Sequence, residues 1–98
     1  MADRVASLVG VERVEVAFLQ LSRPDLTEAV EECMGAGVTR IAVVPFFLFP
    51  GAHVLEDIPA AVGVLEAKFP GIVFSVAPIL AGHPKLAEIA ADRAMGIL

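Results

Sequence analysis

Cysteine is nearly absent: the 98 residues hold a single one, Cys33. One thiol cannot close an internal disulfide, and Cys33 stands among apolar helical positions, so a buried structural thiol in a reducing compartment is expected. Charge is scarce as well, at 19% of residues, with a balance of −5. General nucleic-acid binding needs clustered Lys and Arg to displace counterions, which this acidic balance argues against. Long hydrophobic runs are missing too. The most apolar stretch, Ile41 to Phe49, is far shorter than a membrane span and is interrupted by Pro45. The opening Met1-Ala2-Asp3-Arg4-Val5 shows nothing like the apolar run of a signal peptide. These features together lead to the expectation of a soluble, cytoplasmic protein with neither a membrane nor a nucleic acid as partner.

The missing motifs narrow the chemistry. No glycine-rich loop follows a predicted strand, so a nucleotide cofactor has little support. No Gly-x-Ser-x-Gly elbow is present, and Ser7, Ser22 and Ser75 have no obvious base beside them in sequence. No Cys/His group has zinc-finger spacing. A receiver-like signalling domain would want an aspartate at a strand's carboxyl end, and no predicted strand supplies one.

What the chain does have is apolar residues, at 57% of its length. That is above the usual range and suits a sheet covered by helices, or a surface awaiting a partner. The length fits one domain over residues 1–98. Val5, Leu8 and Val9 have helical spacing, and Gly10 stands where a terminating glycine belongs. Arg13 to Leu19 alternates and then turns wholly apolar, which predicts a strand. Ser22-Arg23-Pro24-Asp25 predicts a helix start, with Ser22 as cap, Pro24 in the first turn and Asp25 as the reciprocal carboxylate. That helix places Leu26, Ala29, Val30 and Cys33 on one face and ends at Gly35-Ala36-Gly37.

Arg40 to Val44 is rich in β-branched residues and predicts a strand buried on both faces, weakening at Pro45. A helix with Val54, Leu55, Ile58, Val62 and Leu65 on its apolar face follows. Pro59 requires that it start late, near Asp57, or bend. Ile72 to Ala77 predicts a third strand and Pro84 to Met95 a last helix. The alternating order predicts an α/β fold: an open parallel sheet with right-handed crossover helices on both faces.

In such sheets ligands bind beyond the carboxyl ends of the strands. The loops leaving those ends are Gln20 to Arg23, Phe49 to His53, and Ile79 to His83, so both histidines of the chain fall on one edge. Neutral imidazole is the commonest metal ligand and a base near neutral pH, which makes His53 and His83 candidate metal ligands. Glu56 and Asp57 follow His53 closely enough to accept protons or orient a ligand, and otherwise are favourable charges in a first helical turn. Arg23 and Lys85 are candidates to grip a carboxylate-rich ligand, or are simply solvated. His83 in Gly82-His83-Pro84 has a second reading as a residue that shapes the start of a helix.

Several segments carry a family likeness in this order: Val14 to Leu19; Pro24; Gly37 to Leu48; Gly51-Ala52-His53-Val54; Asp57-Ile58-Pro59; and Ala77 to Pro84. The chain resembles the small sirohydrochlorin chelatases from about Val11 onward, and Val43 to Pro59 is the specific part. The resemblance implies class II, ATP-independent insertion of cobalt, and alternatively iron or nickel, into sirohydrochlorin in cobalamin- or sirohaem-type biosynthesis. It further implies a homodimer with the site formed between two copies. His53 takes the place of one of the family's two metal-binding histidines. The other ends an opening strand in a His-Gly-Ser-Arg-like motif, and this chain shows neither that strand nor that motif. Where the family often has Glu after the Ala-Phe-Leu strand, Gln20 stands here.

The gap leaves three readings open: a coding start set too far downstream, a short subunit completed by another copy, or a relic that binds without catalysing. On the catalytic reading His53 presents the metal, and Glu56, Asp57 or His53 itself takes up the pyrrole protons. Phe46 to Phe49 meets the flat macrocycle, with at least half of that segment expected in the core. Arg23 and Lys85 meet its carboxylates. The alternative, from a different class, is a non-catalytic metal-binding or assembly module.

Overall fold

The computed structural model describes every residue except Gln20, and for Ala52, His53 and Val54 it describes the backbone alone. The elements run α1 (Ala2–Val9), α2 (Leu26–Gly35), β1 (Arg40–Val43), α3 (Ala52–Lys68), β2 (Val73–Val76) and α4 (Pro84–Met95). The chain divides into two compact units, Met1–Thr39 and Arg40–Leu98.

In the first unit, α1 ends as its sequence predicts. Gly10 adopts a left-handed φ of 82°, and its N–H donates to the Ala6 carbonyl. A side chain at that φ would be strained, which is why glycine terminates the helix there. The start of α2 differs from expectation. Asp25, not Ser22, is the N-cap: its carboxylate accepts from the Glu28 N–H at 2.8 Å, and the Glu28 carboxylate accepts from the Asp25 N–H. Pro24 therefore lies before the helix, where its carbonyl accepts from the Phe18 N–H at 2.9 Å. The shift follows from reading Ser22 as the cap and overlooking Asp25-Leu26-Thr27-Glu28, which is itself a capping-box spacing. Val30 and Cys33 are buried on the predicted apolar face, and burial pushes the Cys33 thiol up in pKa.

Arg13 to Leu19 does not form the predicted strand. Its one described pairing is an isolated parallel bridge from Phe18 to Asp25. Alternating residues make the backbone willing to extend, but a strand exists only where a neighbour completes its ladder. No second strand pairs with this segment among the described residues.

The second unit is a crossover in its simplest form: two strands joined through one long helix. The strands β1 and β2 are parallel, in the register Arg40↔Val73, Ile41↔Phe74, Ala42↔Ser75 and Val43↔Val76. The helix α3 links them and packs on β2. Its Ile58, Val62 and Leu65 recur at helical spacing, and with Phe69 and Ile72 they are the unit's buried large apolar side chains among the described residues. Leu55, predicted on that face, is exposed.

Of the two expectations for this helix, a late start near Asp57 or a bend, the late start fails: the helix runs from Ala52 to Lys68 with Pro59 inside it. Proline removes one backbone donor, and the apolar face made by Ile58, Val62 and Leu65 outweighs that loss. The strand β1 is not buried on both faces either: Arg40 and Ala42 are exposed, and Ile41 and Val43 half-buried. Its β-branched composition reports strand propensity, whereas burial depends on what covers the sheet.

Candidate functional site: the carboxyl edge of the sheet

Because β1 and β2 are parallel, the chain leaves both at the same edge. The two exits are joined there. Ala77 N–H donates to the Val43 carbonyl at 2.9 Å, and further out Ala81 N–H donates to the Phe47 carbonyl at 3.1 Å. The first exit leads through Phe46–Pro50 to the start of α3, and the second through Ile79–Gly82 to the start of α4. His53 is the second residue of α3, and His83 is the residue that caps α4. The topology thus carries both histidines to one edge. The side chain of His53 lies outside the described residues.

The segment between β1 and α3 is more exposed than expected. Phe46 and Leu48 are exposed, Phe47 is half-buried, and Phe49 keeps 80% of its surface open. Pro45 is the buried residue of the loop. The expectation that at least half of the four apolar residues Phe46 to Phe49 enter the core is therefore incorrect. The whole of that segment sits after Val43, the last paired residue of β1, beyond the cover that α3 gives β2.

Glu56 and Asp57 follow His53 by three and four residues within the same helix, so each position stands about one turn from position 53. Glu56 is exposed and Asp57 half-buried. His83 has a defined role. Its Nδ1 accepts a hydrogen bond from the Lys85 N–H at 3.1 Å, its carbonyl accepts from the Leu86 N–H at 3.0 Å, and Pro84 occupies the first turn. This realises the helix-start reading of Gly82-His83-Pro84. Gly82, at φ 81°, makes the turn just before it. Lys85 lends its backbone N–H to that cap, and its side chain is exposed.

Arg23 belongs to the first unit. Its guanidinium grips the Glu28 carboxylate, with Nε 3.0 Å from Oε1 and 3.1 Å from Oε2, and the side chain stays 82% exposed. The hydrogen bond to Arg23 holds the Glu28 carboxyl below its usual range, helped by the Asp25 N–H, and raises the Arg23 pKa in turn. Glu28 was missed as a partner of Arg23; the Asp25-x-x-Glu28 spacing was the available signal. Among the described residues, no three or more His, Cys, Asp and Glu side chains gather as a metal-binding group. Likewise no helix among them is long and apolar enough to cross a membrane.

The family model of CbiX matches residues 1–96. The chain belongs to the CbiX family of sirohydrochlorin chelatases. It is 36% identical over 84 residues to the chloroplastic sirohydrochlorin ferrochelatase of Arabidopsis thaliana, a match covering 86% of this chain and 37% of that protein. It is 30% identical over 80 residues to a sirohydrochlorin cobaltochelatase of Priestia megaterium, covering 82% of this chain and 26% of the relative. This CbiX-family chain thus spans well under half the length of these two curated relatives.

Among solved structures, a cobalamin (vitamin B12) biosynthesis CbiX protein from Marinobacter aquaeolei VT8 superposes with a TM-score of 0.80 at 29% identity, over 96% of this chain and 77% of that one. SirB from Bacillus subtilis, solved with Fe3+, gives a TM-score of 0.85 at 26% identity, over 98% of this chain and 38% of that one. The α/β chelatase fold expected from the sequence is the fold observed.

Proposed function

We propose that this CbiX-family chain inserts a divalent metal into sirohydrochlorin, with cobalt first and iron or nickel as the alternatives. The observation that carries the reading is the family match over residues 1–96, together with two parallel strands that deliver His53 to their carboxyl edge. Because the match runs through both units, we read residues 1–98 as one chelatase-like domain.

Insertion exchanges two pyrrole N–H protons for one divalent cation, so the site must present a metal that can leave and must accept two protons. Neutral imidazole at His53 holds a divalent ion while leaving its other coordination positions open to the macrocycle nitrogens. Glu56 and Asp57, one helical turn further on, are the proton acceptors. Phe49 offers an exposed ring to the flat macrocycle. Lys85 meets its peripheral carboxylates, and Arg23, in the first unit, is of the same chemical kind, able to exchange Glu28 for a ligand carboxylate. A homodimer in the cytoplasm completes the reading.

The test is the absorbance change on metallation of sirohydrochlorin, run with cobalt, iron and nickel, on the chain and on His53→Ala. Metal-dependent conversion that disappears in His53→Ala is the expected result. Conversion unaffected by His53→Ala removes that residue from the mechanism. Cobalt binding without conversion of the tetrapyrrole by any of the three metals would instead identify a non-catalytic metal-binding module.

A further inference from the structure

The chain has two histidines, and they are not equivalent. We infer that His83 is a positioning residue that holds the Phe46–Phe49 loop in place through the α4 cap, and is not a second metal ligand. The inference rests on the proposed use of that loop for the tetrapyrrole.

The first part follows from the protons. A neutral imidazole carries one N–H, and the nitrogen that accepts a hydrogen bond is the one without it. In His83, Nδ1 accepts from the Lys85 N–H, so the proton is on Nε2. The bond also fixes the ring's orientation, because turning it over would set Cδ2 against a backbone donor. A metal at Nε2 would need both ring nitrogens stripped of protons, and a metal at Nδ1 would have to displace the cap. Histidines that do ligate metals show the opposite pattern, donating their second nitrogen's N–H to a carbonyl or carboxylate.

The second part follows from the bonds around the turn. The His83 N–H donates to the Leu80 carbonyl at 3.1 Å, closing the turn over residues 80–83, while its side chain and carbonyl bind the first turn of α4. Inside that turn, Ala81 N–H donates to the Phe47 carbonyl at 3.1 Å. Phe47 is the middle of the exposed apolar loop that leads to α3. His83 thereby stands at the joint between α4 and the turn: its side chain caps the helix, its backbone N–H closes the turn, and the turn holds the loop. Loss of the cap lets the first turn of α4 fray directly beside residues 80–83, which carry the Ala81 bond to Phe47.

His83→Asn and His83→Ala separate the roles. Asparagine is a good N-cap but lacks the imidazole, whereas alanine caps poorly. Three measurements apply to each: cobalt affinity, amide hydrogen exchange over residues 46–49 and at Ala81, and sirohydrochlorin binding by absorbance titration. We expect both variants to bind cobalt within about threefold of the parent, well short of the ~10–100-fold loss that follows even from removing an outer partner of a metal ligand. Exchange should accelerate in His83→Ala and return to the parent rate in His83→Asn, with sirohydrochlorin binding weakened and restored in parallel. A tenfold loss of cobalt affinity in His83→Asn would overturn the assignment, as would unchanged exchange in His83→Ala. If sirohydrochlorin does not bind the parent chain at all, the proposed function fails, while the cobalt and exchange readouts still decide the role of His83.

Discussion

Leu65 is the most deeply buried large side chain described in the chain, at 2% exposure, and its neighbour in sequence, Val64, is 63% exposed. The pair offers a sharp test of the α3 packing. Leu65 lies on the helix face that Ile58 and Val62 also occupy, against which the second unit builds its core. Truncating it to alanine removes three buried carbon groups, a transfer loss of roughly 2.4 kcal/mol at about 0.8 kcal/mol each. The hole left behind adds to that, because a packed interior closes only partly, and buried Leu→Ala changes cost about 2–5 kcal/mol. An expected loss near 3 kcal/mol is large for a small domain, whose total stability is on the order of 5–15 kcal/mol. At about 4–8 °C per kcal/mol it lowers the melting temperature by roughly 12–24 °C. Val64→Ala removes comparable chemistry from the outer face and should stay within about 0.5 kcal/mol of the parent. Urea and thermal unfolding followed by far-ultraviolet circular dichroism measure both. A Leu65→Ala loss below about 1 kcal/mol, or one equal to that of Val64→Ala, would refute the assignment of α3's inner face.

Other perturbations probe the remaining elements. Asp25→Ala removes the α2 cap and should cost about 1 kcal/mol in unfolding experiments, while Asp25→Asn should be close to neutral. Glu28 has a depressed pKa in the folded chain, so its contribution to stability is complete above the ordinary glutamate range and fades as pH falls through its folded value. Glu28→Gln should therefore flatten the acid limb of a stability–pH curve, and added salt should shrink the difference, because the pair with Arg23 is exposed. His53→Ala should remove most specific cobalt binding in a titration near neutral pH, and the parent's binding should weaken in acid because a protonated ring cannot coordinate. Sedimentation at micromolar concentration should report a dimer; a stable monomer would count against the proposed assembly.

Several helix boundaries were legible in the sequence to the residue, though the α2 start was not. Gly10, the Gly35–Gly37 stop, and Pro84 to Met95 fall where caps and periodicity put them, because those boundaries are decided by a residue and its immediate neighbours. Arg13 to Leu19 was not legible in the same way. Its alternation is real, but its ladder depends on a partner strand that no local pattern encodes. The same limit explains β1, whose Ile41 and Val43 read as deeply buried and are only half-covered. Val44, Phe46 and Leu48 then continue into exposed positions. Hydrophobicity says that a segment prefers cover, and only the arrangement of other elements says whether it receives any.

The site was legible as a place sooner than as a set of roles. Topology alone carries His53 and His83 to one edge, since parallel strands joined by a crossover must exit together. Which nitrogen of His83 holds the proton is a different kind of fact. A cap and a metal ligand both use an imidazole lone pair, so the residue type and its place before Pro84 suit either; the structure shows the cap, with the Lys85 N–H 3.1 Å from Nδ1. Arg23 presents the same ambiguity in reverse, because a guanidinium placed for an external carboxylate looks like one placed for Glu28 until the partner is seen. The apolar excess of the composition reaches its resolution here too. A chain that is 57% apolar yet leaves Phe46, Leu48 and Phe49 in the open at the edge where both strands end has not spent its hydrophobicity on its own core alone. Burying that edge against another surface would relieve the cost of exposing it, and this makes the Phe46–Phe49 loop, and the bond from Ala81 that holds it, worth probing alongside the histidines.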